Sequence, residues 1–163
     1  MKKQNLFFSL LLLVFLGITI GPNLVNNFQQ QGKRLEKLNA TEIISSKTIS
    51  FPPQGTHVVL FWATWCAPCK LEMKRLKSAI KDGDLPQERV WAYNPFENED
   101  VIKNFITKNS YPFHFITTKP KLEESLNIRA TPTYLWINED KTIYRMTTGI
   151  SFINLLWLEY FLI

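Results

Sequence analysis

Phe61-Trp62-Ala63-Thr64-Trp65-Cys66-Ala67-Pro68-Cys69-Lys70 is the stretch on which the fold turns. Cys66 and Cys69 are the only cysteines in 163 residues. They stand at a seam. Before them runs Val58-Val59-Leu60-Phe61-Trp62, and after them Lys70 to Ile80 carries Leu71, Leu76, Ala79 and Ile80 near helical spacing. A continuous apolar run with β-branched and aromatic residues suits a strand buried on both faces. The expected order is therefore strand, two thiols, helix. Two thiols so placed can close and reopen a small disulfide ring.

The local chemistry favours one attacking sulfur. A thiolate is the reactive species, and a free cysteine has a pKa near 8.5. The first turn of a helix presents N–H groups with no intrahelical partner, and the dipole there favours negative charge. Cys66 is expected to be exposed, more acidic and the first to attack. Cys69, one turn on, is expected to be buried and to resolve the mixed disulfide. Pro68 suits a first turn, where its missing N–H costs nothing.

Outward from this seam, Pro52-Pro53-Gln54-Gly55 is a turn cluster. Ile43 to Phe51 reads as a short strand. Glu88 to Tyr93 reads as a strand, Asn98 to Lys108 as a helix, Tyr111 to Ile116 as extended and Pro120 to Leu126 as a short helix. Thr133–Ile137 and Thr142–Met146 read as two strands joined by Asn138-Glu139-Asp140-Lys141. Ser151 is placed to cap a last helix that packs on the sheet. This β-α-β-α, hairpin, α order implies an α/β fold: a mixed sheet flanked by helices.

The first segment reads differently. Lys2 and Lys3 precede an apolar run from Leu6 to Ile20, which Leu24, Val25 and Phe28 can extend. No alanine occurs before Ala40, so a small-residue cleavage site is missing. An uncleaved N-terminal transmembrane helix over 1–25 is the favoured reading, with a removed signal as the alternative. The two lysines then stay in the cytoplasm. The remainder lies outside the inner membrane, in the periplasm or its equivalent, where a lone pair of thiols works as a redox couple. Residues 26–41 are polar and read as a linker. Residues 42–163 make the folded domain.

Charge and histidines exclude several classes. The net charge of +5 is modest. Lys70, Lys74, Arg75, Lys77 and Lys81 cluster on one helix, read mainly as a solvated face. Basic and aromatic residues do not interleave, so no nucleic acid partner is expected. His57 and His114 lack finger-like spacing to the cysteines, so neither a metal nor any other cofactor is expected.

Taken together, Phe61 to Lys70 resembles the active-site segment of the thioredoxin superfamily. Leu126-Asn127-Ile128-Arg129-Ala130-Thr131-Pro132-Thr133-Tyr134-Leu135 resembles the segment carrying that family's cis-proline, and Gly149 falls where the family has a glycine. The form Trp65-Cys66-x-Pro68-Cys69 and the N-terminal segment look like its TlpA/ResA branch. The resemblance implies a thioredoxin-like sheet and a redox-active Cys66–Cys69 disulfide. It implies a cis Pro132 lying against that pair, with Thr131 presenting backbone to an extended substrate. It implies protein thiol or disulfide substrates, a membrane or periplasmic redox partner, and a reductive direction. Glu72 matches an acidic residue near the thiols in that branch; the competing reading is a surface glutamate paired with Arg75 or Lys77. A non-catalytic module binding a partner or metal is the alternative function, and copper delivery a weaker one. Leu60 replaces a buried aspartate and Lys74 a helix-kinking proline, so the relay is missing and the helix is expected to be straighter. Residues 96–120 match the branch only loosely.

Overall fold

The computed structural model describes residues 2–150 and 160–161. Seven strands form one sheet: β1 (Leu38–Glu42), β2 (Thr48–Phe51), β3 (His57–Phe61), β4 (Val90–Tyr93), β5 (His114–Lys119), β6 (Thr133–Ile137) and β7 (Ile143–Thr148). Their order is β2-β1-β5-β4-β3-β6-β7. β3 pairs parallel with β4 and antiparallel with β6, so the sheet is mixed as expected. Among the described residues, helices α1 (Lys2–Gln30), α2 (Ala67–Asp82), α3 (Glu99–Asn109) and α4 (Leu122–Ser125) accompany it.

All five residues of β3 are buried. Side chains alternate across a strand. Val58 and Leu60 therefore join one core with Met73 and Leu76 of α2 and Ile102 and Ile106 of α3. Val59 and Phe61 join the other, with Phe51, Leu122 and Leu126. Each such side chain contributes about 1.5–3 kcal/mol on full burial. The seam segment thus follows a strand packed into the core on both faces.

Two expectations need correction. Residues 26–41 are not a linker: 26–30 belong to α1 and Leu38–Glu42 is β1. Polarity there reflects docking rather than freedom. Gly32 N–H donates to Ile143 O at 2.8 Å, Ile143 N–H to Lys33 O at 2.8 Å, and Leu35 N–H to Lys141 O at 2.9 Å. This short pairing covers the start of the outer edge of β7, at Ile143, whose backbone groups would otherwise be unpaired. The strand expected over Ile43–Phe51 is in fact the second arm of a β1–β2 hairpin, with β2 beginning at Thr48. The final helix expected from Ser151 lies mostly outside the described residues. Tyr160 and Phe161 are helical, and Phe161 stacks on Tyr144 at 5.0 Å between centroids.

Within α1, Leu6–Gln30 is long and apolar enough to cross a membrane, with a mean hydropathy of 2.1. Thr19 donates its hydroxyl back to Phe15 O at 2.8 Å, so its polar group is satisfied inside the helix. α2 runs without interruption past Lys74, in line with the missing proline.

Candidate active site

The C-terminal ends of β3 and β4 and the N-terminal end of β6, which runs antiparallel beside β3, build the site. Phe61 closes β3 opposite Thr133, the first residue of β6. Phe61 also aligns with Tyr93, the last residue of β4. The segments 62–66, 94–97 and 130–132 therefore leave the sheet at one end. Trp62 N–H donates to Tyr93 O at 3.1 Å and carries the pairing one residue further.

Cys66 is the N-cap of α2, with extended backbone, and Pro68 lies in the first turn. Cys66 and Cys69 are joined in a disulfide, S–S 2.02 Å. The Cys69 N–H donates to Cys66 Sγ at 3.2 Å. A helix-terminal donor aimed at this sulfur is the contact that would favour its thiolate. Cys69 is fully buried as expected, but Cys66 is only 4% exposed. Packing by the adjoining loops, which the sequence does not show, leaves just a sliver of its surface open. Trp65 beside it is 67% exposed and pairs with Phe96, also exposed, at 6.3 Å between ring centroids.

The Thr131–Pro132 bond is cis, in agreement with the resemblance. Pro132 is buried and Thr131 half-buried. Thr133 donates to Ala130 O at 2.8 Å, and Gly149 N–H donates to Pro132 O at 2.8 Å. Gly149 has φ 98°, which a side chain would resist.

Glu72 is not a surface residue; it is 2% exposed. The helical offset of three places it on the same face of α2 as Cys69. Its Oε2 accepts from Tyr134 Oη at 2.9 Å and its Oε1 from Arg75 at 3.1 Å. Burial, and then the nearby Glu72 charge, hold the Tyr134 phenol well above its ordinary range. That phenol therefore remains a donor to the carboxylate. The Arg75 pairing agrees with the competing reading of Glu72, while the burial does not. Lys77 instead donates to Asn109 O at 2.9 Å. Lys70 lies over the Phe105 ring at 5.8 Å. Much of the basic stretch thus has partners within the chain.

A second carboxylate went unmarked in the sequence. Glu97 accepts from Thr64 N–H at 2.6 Å, from the Thr64 hydroxyl, and from Asn94 Nδ2 at 2.7 Å. Burial pushes its pKa up, but these hydrogen bonds and the charge of Lys70 bring it below the ordinary value. The clasp ties the 94–97 loop to the segment two residues before Cys66. Glu97 is 33 residues from Thr64 in the chain. No local pattern marks such a pair, and only the strand order of β3 and β4 brings it together.

The histidines lie elsewhere. His57 opens β3, at the end opposite Cys66, and contacts Gln54 O at 2.7 Å while accepting from Trp91 Nε1 at 3.2 Å. His114 contacts Glu42 at 2.6 Å. Among the described residues no group of three or more His, Cys, Asp or Glu could hold a metal. Both imidazoles lie against Trp91, near the start of β4, rather than beside the thiols.

A mixed sheet of this order, a disulfide whose first cysteine caps a helix, and a cis-proline loop at the same sheet end define a thioredoxin-fold thiol–disulfide oxidoreductase. The chain belongs to the Redoxin family, which matches residues 27–151. It is 30% identical over 111 residues to sporulation thiol-disulfide oxidoreductase A of Bacillus subtilis, covering 65% of this chain and 67% of that one. It is 26% identical over 157 residues to the thiol-disulfide oxidoreductase ResA of Bacillus anthracis, covering 91% of each. The crystal structure of StoA from Bacillus subtilis superimposes with a TM-score of 0.65 at 23% identity, over 79% of this chain and 98% of that one.

Proposed function

We propose that this chain exchanges its Cys66–Cys69 dithiol with disulfides of protein partners, acting as a reductant on the outer side of a bacterial inner membrane to which α1 tethers it in a single pass. The observation that carries the reading is Cys66 at the N-cap of α2, with the Cys69 N–H on its sulfur and Cys69 within bonding distance.

In the reduced chain, the Cys66 thiolate attacks one sulfur of a partner disulfide. A mixed disulfide forms and the partner's other sulfur leaves as a thiolate. Cys69, deprotonated, then attacks Cys66 Sγ. The second partner sulfur leaves, and the Cys66–Cys69 bond closes. Two electrons pass to the partner. A dithiol protein partner reduces the pair again by the same steps in reverse. Thr131 and the cis Pro132 border the cleft where an extended partner segment would lie, and Trp65 offers it an apolar surface. Buried Glu72, held by Tyr134 and Arg75, is the carboxylate on the same helix face as Cys69 and is proposed to move protons for it.

The support for the reductive direction and for the outer placement is the likeness to the TlpA/ResA branch, together with Lys2 and Lys3 before α1. Potentials on this fold range from about −270 mV to about −120 mV. Equilibrium titration against glutathione is expected to give a midpoint below about −200 mV. A midpoint near the oxidising extreme would overturn the reductant reading. Cys69→Ala is expected to trap partners on Cys66; no trapped species, with function intact when both cysteines are replaced, would overturn the exchange itself.

A further inference from the structure

From the last turns of α1 we infer a further role: Asn26, Asn27 and Gln30 are positioning residues that hold both ends of the cis-proline loop, so the membrane helix is part of the framework of the substrate cleft. This rests on the exchange reading above and deepens it.

The helix gives the first indication. Leu6–Gln30 spans 25 residues, or about 37 Å at 1.5 Å per residue, against about 30 Å of hydrocarbon. About five residues therefore emerge. Those five are Asn26 to Gln30, where α1 turns from apolar to amide-rich. Leu24, Val25 and Phe28 remain exposed, whereas Asn27 is 7% and Gln30 5% exposed. The amides are buried against the domain.

Their contacts converge on one loop. At its start, Asn26 Nδ2 donates to Leu126 O at 3.1 Å and to Asn127 O at 3.2 Å. Gln30 Nε2 donates to the same Leu126 O at 3.2 Å and to Asn26 Oδ1 at 3.1 Å. Carbonyls at a helix end have no intrahelical partner. Those following α4 find theirs on α1, which fixes the entry to residues 128–132. At the far end, Thr148 Oγ1 donates to Asn27 Oδ1 at 3.3 Å and lies 2.9 Å from Thr133 Oγ1. Thr133 in turn holds Ala130 O at 2.8 Å. Asn27, Thr148 and Thr133 thus lie in line from the last turns of α1 to the carbonyl two residues before Pro132. Their two hydroxyl protons go to Asn27 and to Ala130 O, so the Thr148–Thr133 link is a close oxygen contact and not a third hydrogen bond. Thr148 is followed by Gly149, whose N–H holds Pro132 O. The family match, residues 27–151, takes in Asn27 and Gln30 but not Asn26.

The loop so held is the one that would pair with an extended substrate. Loosening it should weaken binding of a peptide and leave the sulfur chemistry alone. The test uses the full chain in lipid nanodiscs, reduced, with two probes. One is a ten-residue peptide closed by a single disulfide. The other is bis(2-hydroxyethyl) disulfide, too short to engage the loop. For Asn27→Ala the peptide KM is expected to rise about threefold to tenfold, on the order of one hydrogen bond lost, with kcat within about twofold. Thr148→Val should reproduce this and Thr148→Ser should not. The small disulfide should react at the wild-type rate. Wild-type KM in both Asn27→Ala and Thr148→Val would overturn the inference. So would an equal fall with both probes accompanied by a lowered melting temperature, which would mark a purely structural contact. A wild-type chain that reduces neither probe would instead sink the exchange reading, and this inference with it.

Discussion

At the scale of single residues, charge and hydrogen bonding around the dithiol pair carry the arrangement. Glu97 receives three hydrogen bonds, two from Thr64 and one from Asn94. A glutamine there keeps the shape but turns one acceptor into a donor facing N–H groups. Glu97→Gln is expected to cost about 1 kcal/mol, since the carboxylate is partly screened by solvent. Differential scanning calorimetry should show a melting temperature lower by about 2–4 °C. An unchanged melting temperature would mean that the clasp contributes nothing net. Glu72, three residues after Cys69, is marked in the sequence only by the resemblance to the TlpA/ResA branch. Its partner Tyr134, 62 residues away, is not marked as such.

At the scale of elements, α2 shows how local rules and context divide the work. Its start is written locally: a cysteine N-cap with a proline two residues on, in the first turn. Its end is equally local. Gly83 sits at φ 87° as the C-cap, and its N–H returns to Ile80 O at 3.2 Å. Space is available at this position, so any penalty for a side chain comes from the backbone alone. Gly83→Ala is expected to destabilise the domain by about 1 kcal/mol, with Gly83→Asn milder. Urea unfolding of both variants checks this, and equal midpoints for alanine and glycine would refute it. The edge of β7 at Ile143 is the contrary case. It is covered by residues 32–35, a polar stretch that reads as linker because two or three backbone hydrogen bonds leave no mark on side-chain pattern.

At the scale of the whole molecule, His57, Glu42 and Glu97 contribute to the response to acid. His57 is held below its ordinary value first by burial. Its geometry agrees, because Nδ1 already accepts from Trp91 and a second proton there would face another donor. Glu42 is lowered first by the Ser45 hydroxyl and then by His114. Glu97 is lowered as described above. A depressed folded-state pKa contributes stability that is present above the unfolded value and lost as pH falls through the folded one. Stability should therefore begin to fall below pH 6.5 through His57 and fall further below pH 4.5 through the two carboxylates. Denaturant titrations at pH 7.5, 5.5 and 4 would show it. In His57→Gln the loss between pH 7.5 and 5.5 should shrink, and an unaltered slope would exclude His57 as its source.

The mixed α/β sheet, the dithiol at a helix start and the apolar first helix were all legible in the chain itself. Each is carried by neighbours within a few residues: a β-branched run, a two-residue cysteine spacing, a row of leucines. Tertiary structure decided the rest. It buried Cys66 and Glu72, chose Tyr134 and Glu97 as partners, and drew Asn26 and Gln30 onto Leu126 and Asn27 onto Thr148, about 100 residues or more along the chain. The physical reason is the same in every case. Hydrogen-bond partners are selected by which strand ends and helix ends meet in space, and that meeting is set by burial of apolar surface, which fixes where a polar group sits without specifying what it will find there.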